Sequence, residues 1–521
     1  MINAVGVKNF RSIKDITINE GYIDLKPFTV LLGKNSSGKS TFLRLFPLLK
    51  QSVSGRTRGA LALYGDEVDF GDFDTLVSRD SDNQHDDFLE LRFKGQINRS
   101  SRGIKIFYDS FVFEKEDPEV FPYELKLKIK NNFDNDYPYI SEFILLFLDN
   151  EIKFVVNDKN EVKEFYINDF DFLSNLGETF VEYSVQSPGF PVFGSENTRL
   201  KSLTKYCKPF LEQIYNKSEL TPEYFDFIRL LFSSITGKNE LKEKCKTICN
   251  SKKKFLVDTS VKRTLKKIIE EEDSFETLYN NYLFLNFESI YDLFTSDIID
   301  DFLSSSYSKP LRANADRYYR SRTLYIKEIN SDGSNLVEYY TNLSTLQRKD
   351  FRRWMEENFN FYYEVEKSGG YKSILIHEGK VKHNITDMGF GFSQILPIIT
   401  QLWVLLEKKN KQQRRIIFSI EQPELHLHPA LQNNLIKALA KIVSIGKETD
   451  LNISFIIETH SETIVNKLGR LVEEQQIERD DIQVLIFSKE NPDTFSKIET
   501  STFNENGELM NWPVGFFGDD E

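Results

Sequence analysis

The sequence predicts an α/β fold, with a largely parallel sheet covered by helices and a long insertion splitting the chain. Three stretches carry that expectation. Phe28-Thr29-Val30-Leu31-Leu32 is an apolar run that stops at Gly33, and Phe42 to Phe46 resume with apolar residues at helical spacing. Arg415 to Ile420 is a second β-type run and ends on Glu421. Asn452 to Ile457 is a third, followed by Glu458-Thr459-His460. Continuous apolar runs of this length read as buried strands. Polar groups at the carboxyl ends of such strands lie where α/β sheets bind ligands.

Between the first strand and its helix stands Gly33-Lys34-Asn35-Ser36-Ser37-Gly38-Lys39-Ser40-Thr41, which fits the P-loop spacing G-x-x-x-x-G-K-[ST]. Gly33 and Gly38 let the backbone curl so that consecutive N–H groups point at phosphate oxygens. The helix start behind them adds partial positive charge. Lys39 has the reach for the β- and γ-phosphates, and the Ser40 hydroxyl suits Mg²⁺. The stretch implies a nucleoside triphosphate.

Composition sets the bounds. At 521 residues the chain exceeds what one hydrophobic core sustains, so two lobes are expected. With 40% hydrophobic and 28% charged residues it has the balance of a globular protein. A net charge of −13 argues against broad coating of DNA, which takes clustered positive charge. Three cysteines, Cys207, Cys245 and Cys249, make no disulfide framework and no zinc set, which fits a reducing cytoplasm. No signal segment is visible at the amino end, and the apolar stretch Ile395 to Leu406 is short for a bilayer. The expectation is a cytoplasmic chain with no membrane partner.

At the amino end, Val5 to Ile13 and Asp15 to Asn19 read as two strands of a hairpin. Arg11 in it is a candidate phosphate or ribose contact, or simply an exposed arginine. Ser52 to Arg58 reads as a polar, basic link. From about Asp87 the character changes: Leu89 to Phe93 and Tyr123 to Ile129 alternate as strands, and Leu203, Tyr206, Phe210 and Ile214 share a helical face. We read 87–304 as an insertion of strand and then helical character, between head segments 1–86 and 305–521. Inside it, Lys238 to Lys267 is rich in lysine, including Lys252, Lys253 and Lys254, and is the best candidate for a nucleic-acid contact; a solvated helix face gives the same pattern.

The second half of the site follows. Met388-Gly389-Phe390-Gly391-Phe392-Ser393-Gln394 precedes an apolar helix, with Ser393 placed as its N-cap. Glu421, at the end of a strand beside the P-loop strand, is expected to hold Mg²⁺ together with Ser40. His426 and His428 lack a third ligand and read as turn residues. His460 stands where an imidazole would meet the γ-phosphate or the attacking water.

This order of motifs (P-loop, Gly-x-Gly-x-Ser-Gln, Glu421-Gln422-Pro423-Glu424 with His426-Leu427-His428-Pro429, then Thr459-His460) resembles ABC-type ATPases of the RecF-like and OLD-like branch. It is most similar to bacterial AAA ATPases with a C-terminal domain of unknown function 3696, on Pro310-Leu311-Arg312 and the ending Gly507 to Phe517. The resemblance covers roughly 1–80 and 305–521. It implies an ABC-type P-loop ATPase head, split by a mixed, largely helical insertion, that sandwiches ATP and Mg²⁺ in head-to-head pairs. Lys39, Ser40 and Glu421 would serve nucleotide and Mg²⁺, and Gly391, Ser393 and Gln394 would act in trans on the nucleotide of a second head. His460 would be the switch histidine. Such ATPases serve bacterial anti-phage defence beside a partner effector, a nuclease or toxin. Where this family pattern carries a water-polarising glutamate the chain has Gln422, whose amide takes no proton at neutral pH, so slow hydrolysis is expected. Two alternatives stand: a RecF-like ATPase binding DNA when ATP is bound, and an OLD-like nuclease. The 61 residues after His460 are short for the nuclease domain that OLD proteins carry there.

Overall fold

The computed structural model describes residues 1–55, 57, 59–78, 87–98, 120–132, 137–159, 161–176, 183–185, 191–193, 237–250, 259–322, 324–407, 415–449, 451–491 and 493–511. They fall into two units. One comprises Met1–Val5, Gly55–Leu61 and Asp87–Asp300; the other comprises Gly6–Ser54, Ala62–Asp86 and Asp301–Glu521.

The second unit is built on a six-stranded sheet whose strands are β1 (Phe28–Gly33), β2 (Ser306–Ser308), β3 (Arg415–Glu421), β4 (Asn452–Glu458), β5 (Ile482–Ser488) and β6 (Lys497–Ser501). Their order is β2-β3-β4-β1-β5-β6, parallel except for the antiparallel edge strand β6. All six residues of β1 are buried, which is why its sequence is apolar without alternation. Register is what builds the site. Glu421 pairs with Glu458, and Glu458 with Leu31, so the carboxyl ends of β3, β4 and β1 come level. The α/β class expected from the sequence is the class observed.

Helices α1 (Lys39–Ser54), α2 (Phe390–Glu407), α3 (Pro429–Glu448) and α4 (Glu462–Glu473) pack on this sheet and its flanks. Phe455 and Ile457 of β4 join one core with Ile398, Leu402, Leu435, Leu439, Ile464 and Leu468. Ile456 between them is buried on the opposite face, as the two-residue period of a strand requires. Ile395, Ile399 and Trp403 of α2 enter a second core with Phe351, Met355, Tyr363 and Ile376. Buried against two cores, α2 is apolar all round. It runs eighteen residues, longer than the apolar stretch Ile395 to Leu406, and by length and composition alone it could cross a membrane; 67% of it is buried inside the protein.

The first unit carries a long antiparallel sheet. Its successive strands are Leu89–Asn98, Val120–Asn132, Tyr137–Phe147, Asn150–Val156, Val162–Ile167 and Phe170–Asp171. Phenylalanines tie it to the helices that follow, Phe154 meeting Phe287 edge-on at 6.1 Å and Phe165 meeting Phe284 edge-on at 5.6 Å. The expected helical face at Leu203 to Ile214 lies outside the described residues, as do Cys207 and Lys252 to Lys254.

Three local expectations are corrected. The hairpin is Ile2–Phe10 with Ile13–Asp15, not a strand reaching Asn19, because Asn19 and Glu20 turn to positive φ (44° and 58°) and end the extended run. Ser52 is not in a polar link: it is buried in α1, its hydroxyl donating to the Leu48 carbonyl at 2.7 Å. The glycine-rich stretch before α2 is not a loop ending at a Ser393 cap, for the helix already begins at Phe390.

Candidate nucleotide site

The loop from Gly33 to Gly38 connects β1 to α1 with backbone that only glycine takes easily. Gly33 lies at φ +145° and Gly38 at φ +107°. A Cβ on Gly33 would run into the Phe487 carbonyl, and one on Gly38 into the Ser496 and Ser12 hydroxyls. Ser12 and Ser496 hold each other: the Ser496 N–H donates to the Ser12 carbonyl at 2.7 Å. Lys34, Asn35 and Ser36 are exposed, while Ser37, Gly38 and Lys39 are buried. The Lys39 ammonium donates to the carbonyls of Gly33 (2.7 Å) and Lys34 (2.8 Å), which stretches it back across the loop. Burial lowers its pKa, with the charges of Glu458 and Glu424 opposing.

Ser40 follows at the start of α1 and Thr41 beside it is half-buried. The Ser40 hydroxyl donates to Glu458 Oε1 at 2.8 Å. Sheet order explains the choice of partner, since β4 lies between β1 and β3 and brings Glu458, not Glu421, next to the loop. Glu458 is only 2% exposed, and its Oε2 has no hydrogen-bond partner among the described residues. Burial, then the charge of neighbouring Glu421, pushes its carboxyl up to about 7.

Glu421 is held differently. Arg44, one helical turn after Ser40, forms a two-pronged pair with it, Nη2 to Oε1 at 2.6 Å and Nε to Oε2 at 3.0 Å. The Tyr307 hydroxyl donates to Oε2 at 2.6 Å. Behind the strand, Arg312 is 4% exposed, donating to the Glu421 carbonyl and to the Ser308 hydroxyl, each at 3.1 Å. The segment Leu311 to Tyr319 thus places one arginine in the interior; Arg317 pairs with Asp387 at the surface.

Gln422 leaves the strand at φ +44°, its N–H donating to the Glu458 carbonyl at 2.9 Å. Glu424 Oε1 accepts the His460 N–H at 2.7 Å, which ties the turn after β3 to the end of β4. His460 is half-buried, and burial together with the Lys39 charge lowers its pKa. His428 caps α3 through Nδ1, accepting the Ala430 N–H at 3.3 Å, and His426 meets Phe390 edge-on at 5.3 Å.

The expected in-trans residues are separated. Gly391 is half-buried over the His426 carbonyl. The Ser393 hydroxyl donates back to the Phe390 carbonyl at 2.7 Å inside the first turn of α2. Gln394 is buried at 1% exposure, its Oε1 accepting the Arg312 N–H (3.2 Å) and its amide donating to the Arg312 carbonyl (3.3 Å). Arg11 lies over the Phe70 ring at 4.6 Å and donates to the carbonyls of Phe70 and Thr75.

Missed at sequence level were Glu458, Arg44 and Tyr307. Glu458 had a signal, since its strand repeats the pattern of an apolar run ending in glutamate. Two carboxylates, a hydroxyl and a buried lysine at the Gly33–Gly38 loop are a donor set that fits a triphosphate with a hard divalent cation.

A P-loop at the end of β1, with acid-tipped β3 and β4 beside it, defines a P-loop nucleoside triphosphatase. The chain belongs to the AAA ATPase domain family, which matches residues 1–465 and implies ATP and Mg²⁺. It is 25% identical over 359 residues to "Endonuclease GajA" of Bacillus cereus (strain HuB5-5), covering 59% of this chain. The chain spans about half (49%) of that relative's length. Among solved structures it is similar to the Smc head domain of Pyrococcus furiosus bound to the C-terminal domain of ScpA, at 13% identity, 96% of both chains and a TM-score of 0.35. The SMC head domain from Thermotoga maritima gives 10% identity over 96% and 98% of the two chains, at a TM-score of 0.30.

Proposed function

We propose that the chain is an ATP-gated switch: two heads pair around ATP and Mg²⁺, and the paired state controls a partner effector, a nuclease or toxin, in defence against phage. The observation that supports it best is the convergence of Lys39, Ser40, Glu421, Glu458 and His460 on the P-loop. Lys39 and the loop N–H groups hold the phosphates, and Ser40 with the nearby carboxylates holds the cation. His460, with its lowered pKa, is neutral near pH 7 and able to accept a hydrogen bond from water. Gln422 orients water without taking its proton, so the ATP state is long-lived. Pairing puts Gly391 and Ser393 of one head toward the nucleotide of the other.

Light scattering on the full chain tests this. The mass doubles with ATPγS and Mg²⁺ and stays single for Lys39→Ala; an unchanged mass contradicts pairing. Gln422→Glu raises ATP turnover, and turnover no faster than the parent's contradicts the slow-switch reading. The similarity to Endonuclease GajA favours a second reading, a nuclease in its own right. Mg²⁺-dependent cleavage of DNA by the pure chain would establish it.

A further inference from the structure

Beside the first turns of α2 the second unit holds a cavity of about 360 Å³, none of whose lining residues belongs to the P-loop or to the acids next to it. We propose that this cavity is a second ligand site, suited to a guanine mononucleotide. Its polar groups sort by charge and depth. Glu338 lies on the short helix Leu336–Asn342, among buried Leu336, Val337, Tyr339 and Tyr340, and is itself only 9% exposed. It lines the cavity, and its carboxylate takes no hydrogen bond or ion pair among the described residues. A buried carboxylate left without a partner costs free energy unless something binds it. Arg320 and Arg322 line the same cavity from exposed positions, and neither guanidinium is paired among the described residues. Tyr318 and Tyr319 add aromatic rings, that of Tyr318 belonging to a residue 61% exposed.

The ligand that answers this set carries donors at one end and negative charge at the other. A carboxylate only accepts, and its two oxygens stand side by side. Guanine offers a ring N–H next to an exocyclic amine and so meets both oxygens at once. Adenine offers one amine beside a bare ring nitrogen, whose lone pair faces the carboxylate. At the exposed side a guanidinium grips phosphate through two hydrogen bonds, and tyrosine rings stack on a base. A purely cationic ligand would satisfy Glu338 but meet like charge from both arginines. The volume falls at the small end of ligand pockets, which run from about 300 to 1,000 Å³, and suits a mononucleotide.

The test is binding of guanosine monophosphate (GMP) to the full chain in EDTA, by calorimetry, with each chain checked for folding by circular dichroism. A monophosphate is the probe because Ser393, which the proposed pairing turns toward the nucleotide of a second head, also lines the cavity. The parent binds GMP saturably and adenosine monophosphate at least about tenfold more weakly, the scale of a lost hydrogen bond to a charged group. Lys39→Ala leaves GMP affinity within about twofold, as independent sites require. Glu338→Gln weakens GMP by about tenfold or more. Arg320→Ala combined with Arg322→Ala weakens GMP but leaves guanosine, which has no phosphate, unchanged. No GMP binding by the parent, equal affinity for the adenine nucleotide, or a GMP loss in Lys39→Ala as large as its ATPγS loss overturns the proposal, and none of these results needs the Glu338 variant to fold. Unchanged GMP affinity in a folded Glu338→Gln overturns it as well.

Discussion

Arg44 and Glu421 meet through two hydrogen bonds, with Glu421 4% exposed on its side chain and Arg44 38%. Removing one partner of such a pair leaves the buried one uncompensated, so Arg44→Ala costs about 2 kcal/mol in urea unfolding, the half-exposed arginine keeping the loss below that of a fully buried pair. Glu421→Gln in the same chain recovers part of the loss; a strictly additive double variant contradicts the pairing. Glu458 gives a pH signature. Its folded carboxyl is raised from 4.5 to about 7, so the folded state holds the proton more tightly than the unfolded one. The stabilisation is complete below about pH 4.5 and is lost as pH rises through 7, a swing of about 3 kcal/mol for a shift of that size. In EDTA, Glu458→Gln therefore flattens the fall in stability between pH 5 and 8, and a variant with the parent's slope contradicts the assignment.

At the scale of elements, the close approach of α4 to the carboxyl-terminal turn is set by two glycines. A Cβ on Gly469 would strike the Gly507 carbonyl, and Gly507 itself lies at φ +73°. Gly469→Ala lowers stability by about 2 kcal/mol through overpacking, measured by urea unfolding; a gain, as helix propensity alone would give, contradicts the packing. Elements buried on both sides were the legible ones. The strands β1, β3 and β4 announce themselves as unbroken apolar runs because both faces are covered, and the P-loop because its glycines and lysine have one spacing. Gly389 is the loop residue it reads as, at φ +78°, but Gly391 misled: it is the second residue of α2, where lack of a Cβ lets the helix lie on the His426 carbonyl. The partner of Ser40 was not legible, because it depends on β4 lying between β1 and β3, a fact of pairing between segments hundreds of residues apart.

Across the whole molecule, an amino-terminal loop meets strands from near the other end of the chain, and the proposed pairing and gating depend on that meeting point holding a triphosphate. Family membership sets ATP as the ligand to try. The direct measurement is a calorimetric titration of ATPγS with Mg²⁺ into the parent and into Lys39→Ala, each checked for folding by circular dichroism. The account predicts saturable binding by the parent and a loss of at least about tenfold in the variant, the scale of a charge-assisted hydrogen bond to phosphate. Equal affinity in the two folded chains would contradict it.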